Sequence, residues 1–278
     1  MSFLVLLIVL WVEKFSAWRQ RFQRDGFFLG ELRRLEAHRR LGRQPAVLLL
    51  ILVVLPAVLL GLLLLVLKPV AYGLLALPVH LLVVLYSLGR GDIKASLGPL
   101  RDAWRRGDEE AAVLVAERDL GLEAETPQAL LEAVENQLLW HAYQSFFAVV
   151  FWYFLLGPVA ALSYRLLALI AEHGRSPTLV ERAEQLRHAF DFLPVRVLAS
   201  SFALVGNFMA VSRVMLQELL NWHLSAWTLI GRAGRVAGEL AAPQVGAQGV
   251  QSLASLWELL LRSAVLWYAA FALWTLLY

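Results

Sequence analysis

An uncharged stretch of 22 residues, Ala46–Leu67, restricts the fold of this chain more than any other feature. At the usual helical rise it forms a helix of about 33 Å, which is enough to cross the hydrocarbon core of a bilayer. Pro69–Leu88 adds 20 uncharged residues after the single charge of Lys68. Two such runs in close succession predict a membrane-embedded helical hairpin over residues 46–88.

The composition extends this interpretation to the whole chain. Hydrophobic residues make up 59% of the 278 residues, and the mean hydropathy is +0.63, whereas soluble domains are about half apolar. The sequence therefore predicts an all-α, polytopic helical membrane protein with four to five spans, plus amphipathic interfacial helices and cytoplasmic helices. The absence of cysteine excludes disulfides, thiolate metal sites and iron–sulfur clusters. The six histidines are scattered, so no metal site is expected, and no motif identifies a cofactor.

The distribution of charge predicts the orientation of the chain. Residues 13–44 carry nine Lys or Arg against four acids, which is typical of a loop retained in the cytoplasm. We therefore expect a multi-pass protein of a bacterial inner membrane, with the lipid bilayer rather than nucleic acid as its partner. Because the first twelve residues lack a basic region and a cleavage site, a removable signal peptide is not expected.

The predicted organisation is a single membrane domain over residues 1–278. Its parts, in chain order, are a basic cytoplasmic segment at 13–44, a hairpin at 46–88, a cytoplasmic helical loop at 89–138, a broken helix pair at 139–212, and an interfacial helix and final span at 213–278.

Two parts of the topology stay open at this level. Residues 1–12 are apolar but short for a span. Thr126 and Pro127 predict the start of a helix that runs into the uncharged stretch 138–164, which Gly157 and Pro158 must bend or end. Either one long helix crosses and then turns along the far surface, or two half-helices enter and return, which would place residues 172–192 in the cytoplasm.

Several polar residues lie where lipid should disfavour them. An ionised group in a bilayer costs several kcal/mol unless it is paired or hydrated, so such groups should converge on one another or on a ligand. We expect a polar pocket at the membrane surface that binds an anionic or amide-bearing small molecule through two arginines. The alternatives are interhelical hydrogen bonds, arginines that extend to headgroups, and a structural pair at a helix start around Pro194. The candidate ligand-binding residues are Asn136, His141, Tyr164, Arg165, Asp191 and Arg196.

A set of short motifs, taken together, resembles the AmpE family of membrane proteins. The motifs follow the family order from residue 1 to about residue 210. This resemblance implies a regulatory protein of the inner membrane linked to β-lactamase induction and cell-wall recycling, with a membrane-protein partner or a second copy as possible partners. The matching residues are Trp11-Val12-Glu13, Asn136, Leu138-Leu139-Trp140, Phe151-Trp152, Gly157-Pro158, Tyr164 and the run from Asp191 to Arg196.

A more distant similarity connects the chain with the adenosylcobinamide-phosphate synthase (CobD/CbiB) family. It includes Tyr164-Arg165 and Pro194-x-Arg196, but Ala168 and Ala171 replace an Asn and an Asp of the synthase pattern. A ligase that uses a nucleotide and magnesium needs carboxylates to hold the metal. We therefore assign no catalytic residue and favour a non-enzymatic function. A membrane-bound amide-forming synthase and a small transporter are the alternatives.

Overall fold

The computed structural model describes residues 5–9, 25–39, 41–69, 74–88, 93–239 and 246–277. Of these residues 85% are helical and none lies in a strand, so the predicted all-α fold is confirmed. Residues 5–9 are helical, whereas the rest of 1–12 and much of the basic segment lie outside the described residues. The helices are α1 Gly26–Ala37, α2 Pro45–Leu67, α3 Ala76–Ser87, α4 Ile93–Ser96, α5 Gly98–Arg105, α6 Glu109–Val115, α7 Pro127–Leu156, α8 Pro158–His173, α9 Pro177–Val205, α10 Phe208–Glu218, α11 Ala226–Ala237 and α12 Ala247–Leu277.

Among the residues that the structure describes, four helices are long and apolar enough to cross a membrane, namely α2, α7, α9 and the part of α12 from Gln248 onward. The clearest case is α2, whose most apolar window has a mean hydropathy of 3.3 and is only 17% buried by the protein. Leu65 and Val66, for example, are 66% and 68% exposed. A soluble protein does not leave so large an apolar surface in water. The exposed surface of α2 therefore faces lipid, and this chain is a membrane protein.

The start of α7 follows the sequence prediction. Thr126 is the N-cap, and its hydroxyl oxygen accepts a 3.2 Å hydrogen bond from the backbone N–H of Ala129. Pro127 occupies the first helical position, where its missing N–H costs nothing. A π-helical turn at Tyr143–Phe147 interrupts the α-helical pattern without ending the helix.

Gly157 separates α7 from α8. Its φ of +80° and ψ of −170° form a conformation that glycine adopts far more readily than other residues, and Pro158 begins α8 immediately after it. Helix α8 packs against the second half of α7 and also against α3 and α2. The chain therefore reverses its direction at Gly157.

The chain divides into two compact units. Unit 1 comprises residues 1–90, 145–194 and 278. Within it, α8 packs against α1, α2 and α3, and the buried side chains come from α1, α2, α8 and α9. Burial of these leucines and their neighbours holds together the helices that carry the polar side chains described below. The core cluster of unit 1 is Leu32, Leu48, Leu49, Leu52, Val53, Leu166, Leu167, Ile170, Leu179 and Ala183.

Unit 2 comprises residues 91–144 and 195–277. The first half of α7 packs against α11 and α12, α10 packs against α11, and α5 packs against α12. Small residues of α11 permit the close approach to α7, since a Cβ at Gly234 would lie 2.6 Å from a methyl carbon of Leu139. The interfacial part of the segment predicted at 213–278 falls on the end of α10 and on α11, in which Leu229 and Ile230 are buried in the protein.

Pro194 lies inside α9 rather than at a helix start, so the predicted helix start around it is wrong. Proline removes one backbone N–H from the helix, but apolar helices tolerate this loss when neighbouring helices pack around them. Because α9 is continuous, Asp191 and Arg196 are five residues apart on one helix.

Candidate functional site

A group of polar side chains joins α8 to α9 within unit 1. The hydroxyl of Tyr164 donates a 2.9 Å hydrogen bond to Oδ1 of Asp191, and both side chains are buried. Nε of Arg187, one turn earlier on α9, lies 3.5 Å from Oδ2 of Asp191. Nη1 of Arg187 also lies 3.9 Å from Oε1 of Glu172. We call Tyr164, Glu172, Arg187 and Asp191 the α8–α9 polar cluster. Within this cluster, Tyr164 donates a hydrogen bond to the buried carboxylate of Asp191, and Arg187 supplies the opposite charge. A buried carboxylate without such partners would be unfavourable.

Arg165 follows Tyr164 on α8 and contacts the start of α1 instead. Its Nη2 lies 3.2 Å from Oδ2 of Asp25, and the two side chains are only 9% and 6% exposed. Its Nε is buried and has no hydrogen-bond partner among the described residues. An unsatisfied buried donor costs about 1–3 kcal/mol, more when the group is charged. Arg165 therefore combines a buried ion pair with a donor that a ligand atom could satisfy.

Glu36 connects α1 to the loop before α9. Its Oε1 accepts hydrogen bonds from the backbone N–H groups of Arg175 and Ser176, at 2.8 and 2.9 Å. Both residues come directly before Pro177, the first residue of α9, so their N–H groups have no partner inside the helix. A carboxylate is favourable at this position because the N-terminus of a helix carries partial positive charge. The contact fixes the α8–α9 loop to α1.

Arg196 belongs to unit 2, where it caps the end of α10. Its Nε donates a 2.5 Å hydrogen bond to the carbonyl oxygen of Leu219, and its Nη2 donates to those of Asn221 at 2.8 Å and Glu218 at 3.4 Å. The last carbonyls of a helix lack partners within the helix, and a cation there also interacts favourably with the helix dipole. A ligand bound to these two nitrogens would have to replace the carbonyl groups.

Asn136 and His141 also belong to unit 2, on the first half of α7. The side chain of Asn136 lies against Gly231 of α11, and its Oδ1 is buried without a hydrogen-bond partner in the described part of the chain. His141 is half-buried. Glu135, beside Asn136, accepts a hydrogen bond from Ser252 of α12. One turn earlier, Glu132 forms an ion pair with Arg235 of α11.

The predicted site residues thus fall into two sets. Tyr164 and Asp191 are in direct contact and Arg165 is adjacent on the same helix, all in unit 1, whereas Asn136, His141 and Arg196 are in unit 2. A shared ligand pocket for all six residues stays a prediction.

The sequence was also compared with known proteins. The family model described as "Regulatory signalling modulator protein AmpE" matches residues 1–240, which is most of the chain. The chain belongs to the AmpE family. This confirms the family resemblance inferred from the short motifs, and it makes the protein a member of a family of regulatory signalling modulators. No curated protein and no solved structure matches the chain. The distant similarity to adenosylcobinamide-phosphate synthases stays a prediction.

The AmpE match includes helices α1 to α11, and hence both sets of predicted site residues. Sequence analysis missed four members of this polar arrangement, Asp25, Glu36, Glu172 and Arg187. The spacing of Arg187 and Asp191, four residues apart on one helix, is a signal that could have identified that pair. Asp25 and Glu36 form hydrogen bonds with residues about 140 positions later in the sequence. No local sequence pattern indicates contacts over such a separation.

Proposed function

We propose that this AmpE-family protein is a multi-pass protein of the bacterial inner membrane that modulates β-lactamase induction in response to cell-wall recycling. The observation that carries the proposal is the family match over residues 1–240. The four apolar helices support a membrane location, and the basic segment at 13–44 supports an inner-membrane orientation with that segment in the cytoplasm.

The contact of Glu36 supports a specific orientation of the α8–α9 loop. Glu36 lies in the segment assigned to the cytoplasm by its basic residues, and it binds the backbone of Arg175 and Ser176 directly. The loop must then lie on the same side of the membrane as Glu36. The reversal of the chain at Gly157 agrees with this orientation, because α7 and α8 then leave and return to one side.

The part of unit 1 that would respond to a ligand is Arg165 together with the α8–α9 polar cluster. Charged groups are expensive in a membrane protein, and their presence there is a reason to expect a functional site. The buried Nε of Arg165 has an unused hydrogen-bonding capacity, and guanidinium groups suit carboxylate, phosphate and amide oxygens. We therefore propose an anionic or amide-bearing small molecule as the ligand.

Such a ligand would compete with Asp25 for Arg165. A change in this ion pair would act on α1, and a change in the adjacent Tyr164 would act on α9 through Asp191. Two helices could thereby respond to one binding event. Arg196 and Asn136 support helix packing in unit 2 in this proposal, and a role for His141 in ligand binding stays a prediction.

The alternative of an amide-forming synthase is disfavoured by the environment of two alanines on α8. Ala168 is buried, and Ala171 packs against the apolar core cluster of unit 1. These are positions at which the synthase pattern has an Asn and an Asp. An apolar environment at both positions offers no ligands for the magnesium ion that such a reaction would use.

The proposal is tested in a strain that lacks the gene and carries it on a plasmid. β-Lactamase activity is measured by nitrocefin hydrolysis before and after exposure to cefoxitin, and membrane abundance is measured by immunoblot. The variant Arg165→Gln should reproduce the effect of the deletion at normal abundance. The matched control is Arg182→Gln, because Arg182 is an exposed arginine of α9 that bonds only to nearby Gln185 in the contacts described.

The outcomes separate the function from the site. If the deletion leaves β-lactamase induction unchanged, the proposed function is wrong. If the deletion alters induction but Arg165→Gln restores it as fully as Arg182→Gln does, the function stands and the assignment of Arg165 is wrong.

A further inference from the structure

Unit 2 contains a pocket of about 210 Å³ that shares no residue with the proposed site. Helix α5 contributes one wall, and α7 and the first turns of α12 contribute the others. The volume is below the usual range of about 300–1,000 Å³ for small-molecule pockets, so it suits a group of headgroup size rather than a whole drug-sized molecule. The pocket is lined by Leu97, Arg101, Arg105, Leu138, Val250, Leu253, Ala254, Trp257 and Glu258.

One wall of the pocket is cationic. Arg101 and Arg105 are four residues apart on α5 and therefore lie on the same face of the helix. Nε of Arg101 is buried and has no hydrogen-bond partner among the described residues. Nη1 of Arg105 lies 3.5 Å from Asp102 in an exposed ion pair, and such a pair is weak enough to be exchanged for a ligand.

The acidic residue at the rim cancels only part of this charge. Oε2 of Glu258 lies 3.1 Å from Nη2 of Arg262, one turn later on α12, and both side chains are exposed. Glu258 is thus already paired with a cation outside the pocket. The Glu258–Arg262 pair is as exposed as the Arg105–Asp102 pair, so Glu258 still offsets one of the two arginines. Two arginines against one acid leave the lining with one net positive charge, which favours an anion.

The remaining walls are apolar. Leu97, Leu138 and Leu253 are buried at the pocket, and Trp257 adds an aromatic ring beside them. A fully hydrated inorganic anion gains nothing from such surfaces. A molecule with an anionic end and an apolar chain can satisfy the arginines and also remove this apolar surface from water.

The position of the pocket along the sequence indicates where such a molecule comes from. Leu138 is the first residue of the uncharged stretch 138–164, and the pocket residues of α12 precede the uncharged stretch that begins at Ser263. The pocket therefore lies at the ends of two apolar runs, where polar and apolar surroundings meet. Tryptophan is typical of this level of a membrane.

We propose that this pocket binds the phosphate group of an anionic lipid, with Arg101 and Arg105 on the phosphate and the adjacent acyl or glycerol part against Leu253 and Trp257. This inference goes beyond the proposed function, because it uses none of the residues placed in unit 1 and requires no link to β-lactamase.

The test uses the full-length protein in detergent and counts bound molecules by native mass spectrometry. Three probes are titrated separately: dihexanoyl phosphatidic acid, dihexanoyl phosphatidylcholine and sodium phosphate. We expect one phosphatidic acid to bind at a concentration at least about tenfold below that needed for either other probe, which corresponds to about 1.4 kcal/mol. Equal binding of phosphatidylcholine would contradict the role of the arginines, and equal binding of sodium phosphate would contradict the amphiphilic ligand.

Three variants locate the binding. Arg101→Gln should weaken binding of phosphatidic acid, whereas Arg106→Gln, which removes the same charge at an exposed position outside the pocket, should not. Ala254→Phe should also block binding, since it fills the pocket without changing charge and keeps the test valid if Arg101→Gln does not fold. If Arg106→Gln weakens binding as much as Arg101→Gln does, or if Ala254→Phe binds normally, the proposed pocket is wrong.

Discussion

The hydroxyl of Tyr164 donates a 2.9 Å hydrogen bond to the carboxylate of Asp191, a residue 27 positions later on the next helix. Both side chains are buried, and Arg187 approaches the other carboxylate oxygen. A buried carboxylate without partners would be strongly unfavourable, so each donor is needed once Asp191 is in place. The arrangement ties α8 to α9 by polar contacts within an otherwise apolar unit.

Removal of the Tyr164 hydroxyl tests this tie. Tyr164→Phe keeps the ring and removes one hydrogen bond to the buried carboxylate of Asp191, which should cost about 1.5–3 kcal/mol because the acceptor is charged. The thermal unfolding midpoint in detergent should fall accordingly. The control is Glu184→Gln, an exposed position on the same helix that should leave the midpoint unchanged. Equal midpoints for the two variants would mean that the hydrogen bond does not stabilise the protein.

Glu36 provides a second test, because it satisfies two backbone N–H groups at the start of α9. Glu36→Ala should cost about 1 kcal/mol, as the loss of a cap does, and should speed hydrogen exchange at residues 175–180. Hydrogen exchange followed by mass spectrometry measures this directly. Glu31→Ala, which removes an exposed pair with Arg34, should leave exchange in that segment as in the wild type. Unchanged exchange in Glu36→Ala contradicts the capping role.

The space around Gly231 and around Gly30 predicts opposite effects when each glycine is replaced by alanine. A Cβ at Gly231 would collide with the side chain of Asn136, so Gly231→Ala should cost about 1–3 kcal/mol. Gly30 of α1 has open space around it, so Gly30→Ala should stabilise by about 0.5–1 kcal/mol. Thermal unfolding of both variants checks the signs. Adding Asn136→Ala to Gly231→Ala should recover part of the loss, and failure to do so would place the collision elsewhere.

The orientation of the α8–α9 loop can be tested by cysteine labelling, since the chain has no native cysteine. Thr178→Cys should react with a membrane-impermeant maleimide only when the cytoplasmic face is accessible, as in inverted vesicles. Arg34→Cys is the reference, because its exposed side chain lies in the same basic segment as Glu36, which the proposed function places in the cytoplasm. Labelling of Thr178→Cys in intact cells whose outer membrane has been made permeable, with none of Arg34→Cys, would contradict the shared side.

The sequence was sufficient for features that depend on local pattern. The length and hydropathy of an uncharged run identified α2. Thr126 and Pro127 identified the start of α7, because capping depends on a few neighbouring residues. The course of α9 was not predicted correctly. Pro194 suggested a helix start, but packing of the surrounding helices allows α9 to continue through it.

The candidate site was only partly accessible to sequence analysis for a similar reason. Tyr164, Arg165 and Asp191 were selected because buried polar groups are costly in lipid, and the structure gives each a specific partner. The identity of those partners depends on which helices meet. The pairing of Arg165 with Asp25 could not be inferred, since nothing in the sequence distinguishes Asp25 from the other acids of the basic segment.

The most direct test of the central claim is β-lactamase induction in cells that express Asp191→Asn. Asparagine preserves the size of the side chain and can still accept from Tyr164, but it removes the charge that Arg187 approaches. At equal membrane abundance, we predict that Asp191→Asn behaves like the gene deletion, whereas Glu184→Gln behaves like the wild type. Wild-type induction by Asp191→Asn would contradict the claim that the α8–α9 polar cluster transmits the signal.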